Sequence, residues 1–150
     1  MIYYLSKKIL LNNNSSSNGL SEIYYNTYSS KINQNLNKTE NTFNFIKTLT
    51  LKNNSSFLVI IIPTKEQVDP NLLKSQLNNL SSEDYNLNKP QEEIIKILDH
   101  LNIKYIDLLP ELRKANINNT FYWELDGHFN EKGYTKASEI IFSDLNILLN

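Results

Sequence analysis

A chain of 150 residues with 40% hydrophobic and 21% charged residues has the composition of one ordinary globular domain, long enough to bury roughly 68–70% of the surface its unfolded form exposes. The net charge of -1 leaves no electrostatic footprint for nucleic acid or an anionic membrane. The absence of cysteine excludes disulfides and thiolate metal sites. Lysine supplies nearly all the positive charge, Arg113 is the only arginine and asparagine is abundant. Such a bias fits an AT-rich coding sequence, so single surface Asn and Lys residues carry little weight.

Taken in order, Met1 to Leu11 reads as a short amphipathic helix. It is not expected to be a signal peptide, because Lys7 and Lys8 interrupt the apolar run and no small-residue cleavage site follows. No stretch of about 18 apolar residues predicts a transmembrane helix. Asn12 to Gly19 is low-complexity Asn and Ser, a flexible loop. Tyrosines crowd the next ten residues without a dominant period. Leu36, Phe43, Ile46 and Leu49 then fall near helical spacing, predicting a helix that ends near Lys52 and a turn over Asn53 to Ser56. The run Phe57 to Ile62, rich in β-branched residues and stopped by Pro63, is the strongest strand signal. Its lack of alternation predicts burial on both faces, as in a parallel sheet.

Asp69-Pro70 reads as an N-cap with proline at the first helical position, starting a helix through Leu72, Leu73, Leu77 and Leu80. Asn88 to Pro90 is a second start signal, for a helix with Ile94, Ile95, Leu98 and Leu101 on one face. Ile103 to Leu108 predicts a second strand, Pro110 to Ala115 a short helix, and Asn130 the cap of a final helix burying Ala137, Ile140, Ile141 and Leu145. Helices alternating with strands predict an α/β fold with a parallel sheet. The organisation expected is an N-terminal helical and Asn/Ser-rich segment over 1–56, followed by an α/β part over 57–150.

Ligands of open parallel sheets bind beyond the carboxyl ends of the strands. That directs attention to Pro63–Glu66, Leu109–Glu111 and Tyr122–Asn130. In the last segment Asp126 stands two residues before His128, with Gly127 between. A histidine general base needs a carboxylate to fix its tautomer and orientation, and a tight turn at the glycine would let Asp126 serve; the alternative is a surface turn with cap residues. Glu124, Asp126 and His128 alternate, so an extended segment could also present them to a divalent cation, but no fourth ligand declares itself and no metal is assigned. His100 reads as a residue complementing a helix C-terminus, Asp107 as structural or pocket-lining, Lys65 and Glu66 as solvated loop charges, and Trp123 as a packing anchor. No serine is placed as a nucleophile: Ser21 follows Gly19-Leu20 without a preceding strand, Ser55 and Ser56 lie at the wrong end of the first strand, and Ser138 and Ser143 lie within the last helix.

The run FLVIIIPTKEQV, then IKYIDLLPELR, then FYWELDGHFNEKGYTKASEII resembles the C-terminal half of SGNH hydrolases, the GDSL-like esterases and lipases. It is most similar to a bacterial group whose last block reads Asp-Gly-His-Trp-Asn-Pro-Glu-Gly-His. The resemblance spans about Phe57 to Ile141. It implies a flavodoxin-like three-layer α/β/α sandwich around a parallel sheet, and acyl-ester hydrolysis by a Ser-His-Asp arrangement. In that arrangement His128 is the general base, oriented by Asp126 or by Glu124, with no cofactor and with an ester-containing small molecule or carbohydrate as substrate. The family's Gly-Asp-Ser block and its Gly-x-Asn-Asp oxyanion block are not found in these residues, so the chain is expected to be a C-terminal portion, inactive alone. It is also expected to self-associate or to pair with a complementing N-terminal half. A non-catalytic remnant or interaction module, and a polysaccharide O-acetyltransferase, are the alternatives.

Overall fold

A computed structural model describes residues 22–73, 81, 83–116, 121–124 and 127–149. The first-helix and Asn/Ser-loop expectations, and Leu77 and Leu80, lie outside them. The described elements are a 3-10 turn (Glu22–Tyr24), α1 (Ser30–Lys52), β1 (Leu58–Ile61), α2 (Lys65–Val68), a 3-10 turn (Pro70–Leu73), α3 (Lys89–His100), β2 (Lys104–Asp107), α4 (Leu109–Ala115) and α5 (Glu131–Leu149). The fold is α/β, and β1 and β2 form a two-stranded parallel sheet with Leu58 opposite Lys104 and Ile61 opposite Asp107.

The apolar run of β1 works by alternation between two cores. Val59 and Ile61 are buried with Phe43 of α1, Ile94 and Leu98 of α3, and Ile103. Leu58, Ile60 and Ile62 pack from the other face against Ile106, Leu108, Leu112 of α4, and Ala137 and Ile140 of α5. Each face is therefore covered by helices, and a parallel crossover of this kind is what lets both faces be apolar. A third cluster joins Ile23, Tyr24, Ile32 and Leu73. Tyr24 donates to or accepts from Thr64 Oγ1 at 2.8 Å, and burial raises the Tyr24 hydroxyl well above its ordinary pKa.

The helix ends follow local chemistry. Ser29 caps α1 by accepting from the Ile32 amide. Pro90 stands in the first turn of α3, where its missing N–H costs nothing. Leu49, expected on the inner face of α1, is instead 43% exposed, and Thr39 takes a place on the buried side. The segment expected to be a loop after β1 is α2. Thr64 and Gln67 form a reciprocal capping box there, which satisfies orphan amides of even a one-turn helix. The helix expected from Asp69-Pro70 begins as the 3-10 turn, with Asp69 Oδ1 accepting from the Asn71 amide at 3.1 Å.

Gln67 then becomes a buried junction. Its side chain donates to the Leu87 carbonyl at 2.7 Å and pairs with the buried Gln91 amide. Its carbonyl accepts from both Nε (2.9 Å) and Nη2 (2.7 Å) of Arg113, whose Nη1 reaches Asn88 Oδ1 at 2.9 Å. The one arginine thus ties α4 to the end of α2 and to the start of α3. A planar fork is required for this three-way bond. Arg113→Lys should therefore lower the unfolding free energy by about 1–3 kcal/mol, measured by urea denaturation; a loss no larger than that of an exposed lysine-to-alanine control would contradict this role.

Gly133 sits at a close approach between α5 and the hairpin. A Cβ built there would stand 2.1 Å from the Phe121 carbonyl oxygen and 2.8 Å from Phe129 Cδ1. Alanine normally favours a helix over glycine by about 1 kcal/mol. Here Gly133→Ala should reverse that sign and destabilise by about 2–3 kcal/mol, read as a lower midpoint in thermal or urea unfolding. An unchanged or raised midpoint would contradict the packing described.

Candidate active site

The segment carrying His128 is a β-hairpin. Tyr122 and Phe129 form an antiparallel bridge, flanked by Trp123 N–H to the His128 carbonyl (2.8 Å) and Asn130 N–H to the Phe121 carbonyl (3.0 Å). Gly127 takes a φ of 69°, in the left-handed region that glycine enters without strain. Glu124 stands in a turn, so neither it nor Gly127 is extended backbone. Asp126 lies outside the described residues. Among the described residues no group of three acidic, His or Cys side chains is disposed to hold a metal ion.

The hairpin is anchored at the carboxyl end of β1. Tyr122 donates its hydroxyl to the Pro63 carbonyl at 2.8 Å, and Lys65 Nζ donates to the Glu124 carbonyl at 2.7 Å. The rings of Tyr122 and Phe129 lie 4.8 Å apart, and Tyr134 meets Phe129 edge-on at 5.8 Å. Alternation along the hairpin places Trp123 and His128, a cross-strand pair, on the face opposite these rings. Consistent with that, Phe129 is buried whereas Trp123 and His128 are exposed. Asn130 begins α5 as expected, its Oδ1 accepting from the Gly133 amide at 3.0 Å.

Two expectations about single residues change. Trp123 is not a packing anchor: it is 56% exposed, because Tyr122 and Phe129 occupy the inward face of the hairpin. Lys65 and Glu66 belong to a helix rather than a loop, and Lys65 fastens the hairpin. A cavity of about 480 Å³ opens beside these groups, lined in part by Lys65, Leu72, Trp123, Glu124 and Asn130. The sequence reading missed it because its walls come from four separate segments.

Asp107 is structural in its contacts. Its Oδ1 accepts from the Leu109 amide at 3.0 Å and starts α4. His100 closes α3 with Nδ1 2.7 Å from Glu40 Oε1 of α1. That adds an interhelical contact to the expected helix-end role.

Compared with protein-family models, curated proteins and solved structures, the chain matches none.

Burial raises the Asp107 carboxyl above the ordinary aspartate value, outweighing the opposing pull of the Leu109 amide and Arg113. A folded-state pKa above the unfolded one means the protonated form is favoured by folding. That contribution is complete below the ordinary aspartate pKa and is lost as pH rises through the raised folded value. Relative to Asp107→Asn, the wild-type chain should therefore gain stability as pH falls from about 7 to about 4, seen as a rise in its melting temperature relative to that of the variant. A wild-type melting temperature that falls relative to the variant on acidification would contradict the raised pKa.

Proposed function

We propose that this chain supplies the base and acid of an SGNH-type ester hydrolase, with His128 as general base and Asp126 as the carboxylate that orients it. The serine nucleophile and the oxyanion donors would come from sequence outside these 150 residues. The observation that carries the reading is the anchored hairpin. It holds an exposed histidine beyond the carboxyl end of a parallel strand, where open α/β sheets place their ligands. Gly127 supplies the tight turn that an Asp-Gly-His unit needs.

The same reading takes the two strands and their flanking helices as the C-terminal half of a three-layer α/β/α sandwich. Among the described residues no strand pairs with β1 on the side away from β2. Further parallel strands would add along that edge, and an apolar edge of this kind favours pairing with another chain. A base without its nucleophile retains little of the triad's effect, since such residues act as a unit, and loss of the oxyanion donors removes a further large contribution.

The chain alone should therefore fail to hydrolyse p-nitrophenyl acetate above the buffer rate, and should elute in size-exclusion chromatography at an apparent mass above that of a 17.5 kDa monomer. Joined to an upstream coding segment that contains a Gly-Asp-Ser block, in frame or as a second chain, it should gain esterase activity. His128→Ala should then reduce that activity by at least about 10³-fold. Hydrolysis by a soluble monomer, abolished by His128→Ala, would overturn the claim of inactivity. A complemented enzyme indifferent to His128→Ala would overturn the assignment of the base. Absence of any such block upstream would leave a non-catalytic remnant as the reading.

A further inference from the structure

The cavity beside the hairpin combines features that the hydrolytic reading does not use. Part of its lining is apolar and buried: Val68 and Phe121 are 2% and 4% exposed. Its wall carries an exposed indole, Trp123, and an exposed aliphatic side chain, Leu72. Around these stand Asp69, Glu124 and the Asn116 amide. Exposure of an indole and a leucine is ordinary by itself; here both line one concavity together with polar groups. The volume of about 480 Å³ lies within the range of small-ligand sites.

The chemistry of the lining selects the ligand. A purely aliphatic chain would desolvate Asp69, Glu124 and Asn116 with nothing to replace their water. An anionic ligand would meet two carboxylates, while the Lys65 ammonium is engaged by the Glu124 carbonyl. A neutral ring with one C–H face and a rim of hydroxyls meets both demands: the C–H face lies on the indole, and the hydroxyls donate to the carboxylates and exchange bonds with the amide. We propose that this cavity is a carbohydrate-binding subsite, with Trp123 as the platform for one pyranose ring and Asp69 and Glu124 as its hydroxyl acceptors. The Trp123 amide bonds the His128 carbonyl across the hairpin, but His128 does not line the cavity, so binding there does not depend on its imidazole. The sugar's role as the bearer of the cleaved ester rests on the hydrolase reading; its binding does not.

Trp123 is the only tryptophan in the chain, so its fluorescence reports on this site alone. Titration of the full chain with cellohexaose, xylohexaose and chitohexaose should give a saturable blue shift with at least one of them. By calorimetry, Trp123→Ala should weaken that sugar at least about tenfold, Trp123→Phe should retain most of the affinity, and Glu124→Gln should weaken it measurably, each with unchanged circular dichroism. His128→Ala should leave binding intact, which separates this claim from catalysis. No response to any of the three sugars at millimolar concentration, a response to octanoate instead, or full affinity in a folded Trp123→Ala chain would overturn the proposal.

Discussion

The parallel pairing of β1 with β2 is the constraint on which the rest depends. Two parallel strands cannot be joined by a tight turn, so the chain between them must leave the sheet and return, and it does so through α2 and α3. The four-residue strands offer little area of their own. Their value lies in feeding two cores at once, Val59 and Ile61 towards α1 and α3, Leu58 and Ile60 towards α4 and α5. Any residue at 58–61 that is not apolar would expose a polar group to one core or the other, so β1 tolerates no charged position. The same double burial fixes where the carboxyl end of β1 points, and hence where the hairpin docks.

What keeps that end from fraying is a set of polar bonds rather than more apolar area. The capping box of α2, the buried pair Gln67 and Gln91, and the fork of Arg113 on the Gln67 carbonyl bring residues from three separate stretches of the chain together at Gln67. Buried amides are costly when unpaired and strongly specifying when satisfied. Here they hold the short α2 at a defined angle. Lys65 at the start of α2 can then reach the Glu124 carbonyl, and Tyr122 the Pro63 carbonyl. The geometry of the hairpin is thus inherited from an amide network on the other side of a one-turn helix.

Much of this was legible in the residues. Phe57 to Ile62 announced a buried strand, Pro90 and Asn130 announced helix starts, and the alternation of helices and strands announced a parallel sheet. These signals are local, because they rest on period, propensity and capping. The capping box Thr64-x-x-Gln67 was equally local, and was overlooked because the helix it starts has only four residues and shows no apolar period. Trp123 could not be placed by local reasoning. Tyr122, Trp123 and Phe129 are all aromatic, and only the hairpin register decides which of them faces inward. The cavity was out of reach for the same reason, since Leu72, Asn116 and Trp123 meet only after the chain has folded.

That register also limits what the histidine can do. An imidazole on the inward face, packed with Tyr122 and Phe129, would be a structural group with no access to a substrate. On the outward face it stands opposite Trp123, beyond the strand end, with glycine beside it to bend the backbone. The inward aromatics pack the hairpin against the rest of the fold, and Trp123 and His128 on the outward face remain exposed. A firm support under an exposed imidazole is what the proposed role of His128 as a base would require. Shifting the pairing by one residue would exchange the two faces, putting His128 in the core and a phenyl ring in water. Gly133 guards against that shift from below, because only a residue without a side chain lets the Phe121 carbonyl and the Phe129 ring settle so closely on α5.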